Sequence, residues 1–430
     1  MQKEHSPGRV RLVMLMLFLF MFVNFADKAV LGLTAVPMMK ELNLSPREFG
    51  LIGSSFFLLF SISMVTVGFL VNRIQTRHAL QAMSLVWAFA QLAVVAGAGL
   101  GTLVVSRVIL GAGEGPAYPV AIHSAYKWFP DGRRSLPTAI LAQGAAIGVV
   151  VALPALGWVI THYSWRYAYG ILGLLGLLWC VGWAFLGGEG TQSATVKLDS
   201  GTVIDRVDYG RLIFNPTILS CTLCGFGAYW GLALLVAWFT PYLINGIGLE
   251  ASTAHLISAL PWALGAIVVL LLGWFSQKLV ERGVSTRLAR GVLASACVAV
   301  GGLALVVTPY VSVIWIKIAL VVIGISVPGV IYAIGPTIVG EITPVHQRGA
   351  MLAINNAVVT SAGLLAPFVT GNTIQAAGSS PDGYVSGFFI CGVIALSGGI
   401  IGMIFIRPRA ELERFAASGV SMKTATAIVK

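Results

Sequence analysis

The 430-residue chain is 57% hydrophobic and only 10% charged, with a mean hydropathy of +0.89. Soluble globular domains carry about a quarter charged residues, so this composition excludes a soluble fold of this size. The formal net charge of +11 would suit a nucleic-acid partner, but its distribution along the chain, set out below, speaks against one.

Apolar runs of about 20 residues recur from end to end, the length a helix needs to cross a bilayer. They lack the ten-residue alternation of a β-barrel, so helices are expected. The first run, Leu12 to about Val36, is too long and too polar at its centre for a cleaved signal peptide. It reads as helix 1. Runs at 49–72, 78–99, 101–124, 136–160 and 165–187 follow and complete an N-terminal bundle expected over 1–187. Residues 188–212 are polar and rich in Gly, Ser and Thr, and read as a cytoplasmic linker. Six further runs, at 213–244, 253–276, 289–308, 311–337, 350–374 and 384–406, form a C-terminal bundle over 213–408, followed by a tail over 409–430. Pro367 and several glycines interrupt the eleventh run, which membrane helices tolerate because neighbours re-satisfy the freed backbone groups. The expected fold is therefore all-α: twelve transmembrane helices in two pseudo-symmetric six-helix bundles.

With the N-terminus cytoplasmic, twenty-one of the 27 Lys and Arg residues fall in cytoplasmic segments, and only Lys40, Arg47 and Arg166 lie outside. This positive-inside asymmetry places both termini in the cytoplasm and the chain in the inner (cytoplasmic) membrane. It also accounts for the net charge without a nucleic-acid partner. Membrane lipid and a small-molecule substrate are the expected partners, and a monomer suffices.

The halves echo each other. Gly68-Phe-Leu-Val-Asn72-Arg73, after helix 2, is matched 205 residues on by Gly273-Trp-Phe-Ser-Gln277-Lys278. Pro130 to Arg134, after helix 4, recurs as Pro344 to Arg348. Such pairing indicates duplication of a six-helix unit, the architecture of transporters that hold substrate at mid-membrane between halves. The five cysteines lie in apolar runs; Cys221 and Cys224 form a CxxC with no second pair, and read as small hydrophobes rather than a metal or redox site. No metal or other cofactor is expected. There is no P-loop, GxSxG, HExxH or haem signature, so the chain reads as no enzyme, and uphill transport must draw on an ion gradient.

Ionisable residues deep in a span cost several kcal/mol unless paired or wetted. Four stand out: Asp27 and Lys28 in helix 1, and Arg107 and Glu114 in helix 4. Arg107 and Glu114 are two turns apart on one face, about 10.5 Å along the axis. An arginine there can grip a carboxylate or sulfonate through two parallel hydrogen bonds, and a desolvated glutamate can carry a proton. Asp27 and Lys28 point about 100° apart, one toward a cavity and one toward helix 4. The structural alternative is charge neutralisation, with Asp27 against Arg107 and Lys28 against Glu114. Asn355, Asn356 and Thr360 in helix 11, and Tyr229, Trp238 and Tyr242 in helix 7, either contact substrate or pack. His123 and Lys317 read as interfacial residues.

These residues resemble those of the major facilitator superfamily and, within it, the anion:cation symporter family of sugar-acid, phthalate and sialic-acid-type carriers. The segments that carry the resemblance are Asn24 to Ala29, Gly68 to Arg73, Arg107 to Pro116, Trp128 to Arg134 and Trp165-Arg166. The resemblance implies that Asp27 and Glu114 are proton-coupling residues, that Lys28 and Arg107 bind the anion, and that Asn72 and Arg73 lie in a gating loop. Asn356 is expected as a further substrate contact from its place in helix 11, which should line the cavity. It also shows departures. Lys28 stands where arginine is usual, Phe25 and Phe60 replace tyrosines, Ala145 replaces a glutamine, and Asn72 replaces an aspartate. Lost hydroxyls disfavour a polyhydroxylated sugar acid, whose own hydroxyls need buried partners. The expected function is import of an aromatic or short aliphatic carboxylate, or a sulfonate, by proton symport. The alternatives are a proton-driven exporter, disfavoured because Gly144 to Gly148 lacks a Gly-Pro step, and a non-transporting receptor or scaffold.

Overall fold

The computed structural model describes residues 7–71, 73–97, 99–129, 134–190, 207–344 and 347–417, and these are helical throughout apart from short connections. The helices are α1 (Pro7–Leu42), α2 (Pro46–Leu70), α3 (Thr76–Ala96), α4 (Leu100–Glu114), α5 (Ala117–Tyr126), α6 (Ser135–His162), α7 (Trp165–Leu186), α8 (Tyr209–Ile213) and α9 (Pro216–Ala237). Then come α10 (Phe239–Pro241), α11 (Ala251–Ile257), α12 (Leu260–Glu281), α13 (Leu293–Val307), α14 (Ile314–Ser326), α15 (Val330–Glu341), α16 (Arg348–Ala376), α17 (Pro381–Phe405) and α18 (Pro408–Ala417). Among the described residues, eleven helical stretches are long and apolar enough to cross a membrane. The remaining expected span, 101–124, is divided between α4 and α5. Pro116 has no N–H to donate to the carbonyl of Ala112, and this ends α4 two residues earlier.

Local chemistry explains several boundaries. Ser45 and Glu48 form a capping box ahead of α2: the Glu48 amide donates to Ser45 Oγ at 3.3 Å, and the Ser45 amide donates to Glu48 Oε2 at 2.8 Å. Pro46 occupies the first helical position, where its missing N–H costs nothing. Ser164 caps α7 and Asn215 caps α9 in the same sense. α16 runs unbroken through Pro367, as expected. Gly273 to Lys278, expected as the loop after the eighth run, instead forms part of the last turns of α12.

The chain divides into two compact units. The first contains the described residues of Met1–Val196, Leu234–Ala263 and Pro367–Tyr384. In it α1 packs chiefly on α6, α2 on α4, and α3 on α7. Glycines four apart bring these pairs together: Gly111 and Gly115 lie against the backbones of Phe56 and Phe60, and Gly144 and Gly148 against those of Phe18 and Phe22. Trp238 and Tyr242 are fully buried here, and the Trp238 indole donates to the Pro367 carbonyl at 2.9 Å, so both pack rather than line a cavity. Glu189, just after α7, accepts from the amides of Thr76 and Arg77 at 3.2 and 3.0 Å and from the Thr76 hydroxyl at 2.9 Å. It thereby sits at the positive end of the α3 dipole and is ion-paired to Lys127.

The second unit contains the described residues of Lys197–Ala233, Leu264–Ala366 and Val385–Lys430. Its core gathers Ile218, Cys221, Cys224, Val298, Ile331 and Ile338. α18 docks there through Asn215, whose Nδ2 donates to Glu411 Oε2 at 2.8 Å. All five cysteines are buried with free thiols.

Candidate functional site

The first unit gathers Asp27, Lys28, Arg107 and Glu114, and it makes two kinds of pair. The Lys28 ammonium lies 2.9 Å from Glu114 Oε2, and the Glu114 side chain is fully buried. Lys28 also donates to Asn24 Oδ1, one turn back on α1, at 2.5 Å. Its ammonium sits 4.5 Å from the Phe25 ring centroid and 5.9 Å from that of Phe60, where the ring faces attract a cation. Phe25 in turn meets Trp262 edge-on at 6.2 Å. Lys28, Phe25 and Trp262 are half-buried, in contrast with the buried Asp27, Arg107 and Glu114.

Asp27 and Arg107 do not pair. The residues turned 100° from Lys28 on α1 face α3, so the Asp27 carboxylate meets Gln91, whose Nε2 donates to Oδ1 at 2.9 Å. Arg107 turns to α7 and donates to the Tyr169 hydroxyl at 2.7 Å, its guanidinium lying 5.5 Å from the Tyr169 ring centroid. That hydroxyl is also 3.3 Å from Thr34 Oγ1. Neither Gln91 nor Tyr169 is conspicuous in the sequence. The available signal was an amide inside the long apolar run of α3, where a polar side chain needs a partner.

Arg73 is exposed in the turn after α2, and Asn72 lies outside the described residues. Asn356 belongs to the second unit, half-buried on α16, where Thr360 Oγ1 donates to its carbonyl at 2.9 Å. Its neighbour Asn355 accepts from Thr222 Oγ1 at 2.7 Å. In the same unit Tyr229 meets Tyr332 edge-on at 6.2 Å. No group of three or more metal-ligating side chains occurs among the described residues.

Two bases and two acids held inside a bundle of membrane helices are a transporter's chemistry rather than an enzyme's, and the sequence profile of the Major Facilitator Superfamily matches residues 17–331. The chain belongs to that superfamily. Its solved relatives include a bacterial homolog of the human lysosomal transporter Spinster. That structure superposes with a TM-score of 0.75 at 18% identity, covering 95% of this chain and 99% of its own, which shows the shared fold. Among curated relatives, the hexuronate transporter of Bacillus subtilis (strain 168) is 25% identical over 92% of this chain and 94% of its own length. A probable sulfoacetate transporter of Cupriavidus necator is 24% identical over 91% of this chain and 92% of its own. This member of the superfamily is thus a multi-pass membrane transporter and not an enzyme.

Proposed function

We propose that the chain imports a small organic anion across the inner membrane by proton symport, through twelve spans with both termini in the cytoplasm. The observation that carries this reading is the Lys28–Glu114 ion pair, set beside a second buried carboxylate at Asp27. An incoming carboxylate or sulfonate competes with Glu114 for the Lys28 ammonium. Glu114, displaced from Lys28, leaves a negative charge beside Asp27 that a proton on Asp27 offsets, so anion and proton binding are linked through this contact. Arg107, which donates to the Tyr169 hydroxyl, supplies the second positive charge. Arg73, with Asn72, belongs to the gating loop.

The relatives named for a hexuronate and for sulfoacetate support an acid or sulfonate as cargo. The ring carbons of Phe25 and Phe60 flanking Lys28 favour an aromatic or short aliphatic acid, or a sulfonate, over a polyhydroxylated one. The test is reconstitution in liposomes holding a pH-sensitive dye, with sugar acids, aromatic acids, short dicarboxylates and sulfonates added in turn. Internal acidification with one class names the substrate and the coupling ion together. Exchange of labelled anion without acidification overturns proton symport.

A further inference from the structure

The buried polar groups between α1 and α3 are incompletely bonded in a particular way. Asp27 and Gln91 are each 1% exposed and joined by one hydrogen bond, from Gln91 Nε2 to Asp27 Oδ1. The second oxygen of each, Asp27 Oδ2 and Gln91 Oε1, has no hydrogen-bond partner among the described residues. Both are acceptors. The nearby unpartnered donors, Asn24 Nδ2 one turn back on α1 and Trp87 Nε1 one turn back on α3, bond to neither. A buried acceptor left without a donor costs about 1–3 kcal/mol, and native interiors contain few. A carboxylic acid and a primary amide, by contrast, satisfy each other fully through two hydrogen bonds running in opposite directions.

We propose that Gln91 is the positioning residue that holds the transported proton on Asp27. The proton sits on Oδ2 and is donated to Gln91 Oε1 while Gln91 Nε2 continues to donate to Oδ1, so one proton satisfies both orphaned acceptors. When it leaves to water, Asp27 becomes a carboxylate that keeps the Nε2 bond alone.

The groups facing Asp27 fit this assignment. Lys28 follows it on α1, and Glu114 and Arg107 face it from α4. Lys28 is committed to Glu114 and Arg107 to Tyr169, leaving a neutral amide as the direct partner of Asp27. Of two neighbouring carboxyls, the one on an ammonium stays ionised and the one on an amide holds the proton. The inference rests on the symport reading for the word transported, though the Asp27–Gln91 bond pattern stands without it.

Infrared difference spectroscopy of the full-length protein in lipid, titrated through neutral pH, tests it. A protonated-carboxyl stretch is expected, lost in Asp27→Asn, kept in Glu114→Gln, and moved to higher wavenumber in Gln91→Met, which removes the amide donor. Loss of the band in Glu114→Gln instead, absence of any band, or a band unmoved by Gln91→Met overturns the proposal. The last outcome makes water the partner. Should Gln91→Met not fold, Gln91→Glu puts two carboxyls on one proton, and the titration midpoint should rise by at least about one pH unit; an unchanged midpoint overturns the proposal equally. A band that behaves as expected in a protein that fails to acidify liposomes sinks symport alone. Acidification without the band sinks the Gln91 assignment alone.

Discussion

Lys28 neutralises Glu114 and is the half-buried member of the four charges. Replacing Lys28 with Met leaves Glu114 buried without its counter-charge, and breaking a buried pair costs about 3–5 kcal/mol unless the survivor is neutralised. Glu114 is expected to take a proton permanently, and anion binding, read by isothermal titration or competition, should be lost at every pH. Glu114→Gln instead leaves Lys28 in place: labelled-anion exchange should persist while uphill accumulation in a pH gradient disappears. Unimpaired accumulation in that variant returns Glu114 to a structural role. Tyr169→Phe removes the hydroxyl to which the 2%-exposed Arg107 donates. It should lower stability by about 1–3 kcal/mol, seen as a lower melting temperature in detergent. The four charges were legible because a charge in an apolar run is conspicuous. Their partners were not, because Gln91 and Tyr169 are neutral, and the choice of Gln91 over Arg107 for Asp27 is made by helix rotation.

The glycines set how closely the elements approach. A Cβ at Gly111 would run into the carbonyl oxygen of Phe56, whereas one at Gly68, also helical, meets nothing within 4 Å. Gly111→Ala must therefore push α4 off α2 and displace Glu114 three residues on. Folding yield and transport should both fall. Gly68→Ala should leave the protein as stable as before or raise stability by up to about 1 kcal/mol, because glycine costs a helix that much relative to alanine. Thermal melts of the two variants side by side decide it. Ser45→Ala, which removes the α2 cap, should cost about 0.5–2 kcal/mol. Helices and their approximate limits could be read from apolar run length alone. The break between α4 and α5 could not, because a proline breaks or passes according to what its neighbours supply to the freed carbonyl.

Over the whole molecule, one ion-paired carboxylate outside the spans links stability to pH. Burial alone would raise the Glu189 carboxyl, but the Lys127 ammonium, the Arg77 amide and the Thr76 hydroxyl outweigh it and hold it below its ordinary value of 4.5. A carboxyl depressed in the folded state contributes stability that is fully present above its unfolded value and is lost as pH falls through the lower folded one. Melting temperature should accordingly decline on acidification below 4.5, and Glu189→Gln should flatten that part of the curve while melting lower at neutral pH. A variant with the same acid limb as the parent excludes Glu189 as its source.

The even count of charges in the site has an electrical consequence. Asp27 and Glu114 balance Lys28 and Arg107, so the fully ionised, empty cluster is neutral. A monoanion entering with one proton leaves it neutral again, and neither loaded nor empty carrier then moves net charge against the membrane voltage, which would otherwise weigh about 2.3 kcal/mol per charge at 100 mV. Uptake of a monoanion should thus be indifferent to a potassium diffusion potential imposed across the liposome, and a dianion carried with one proton should be slowed by an inside-negative one.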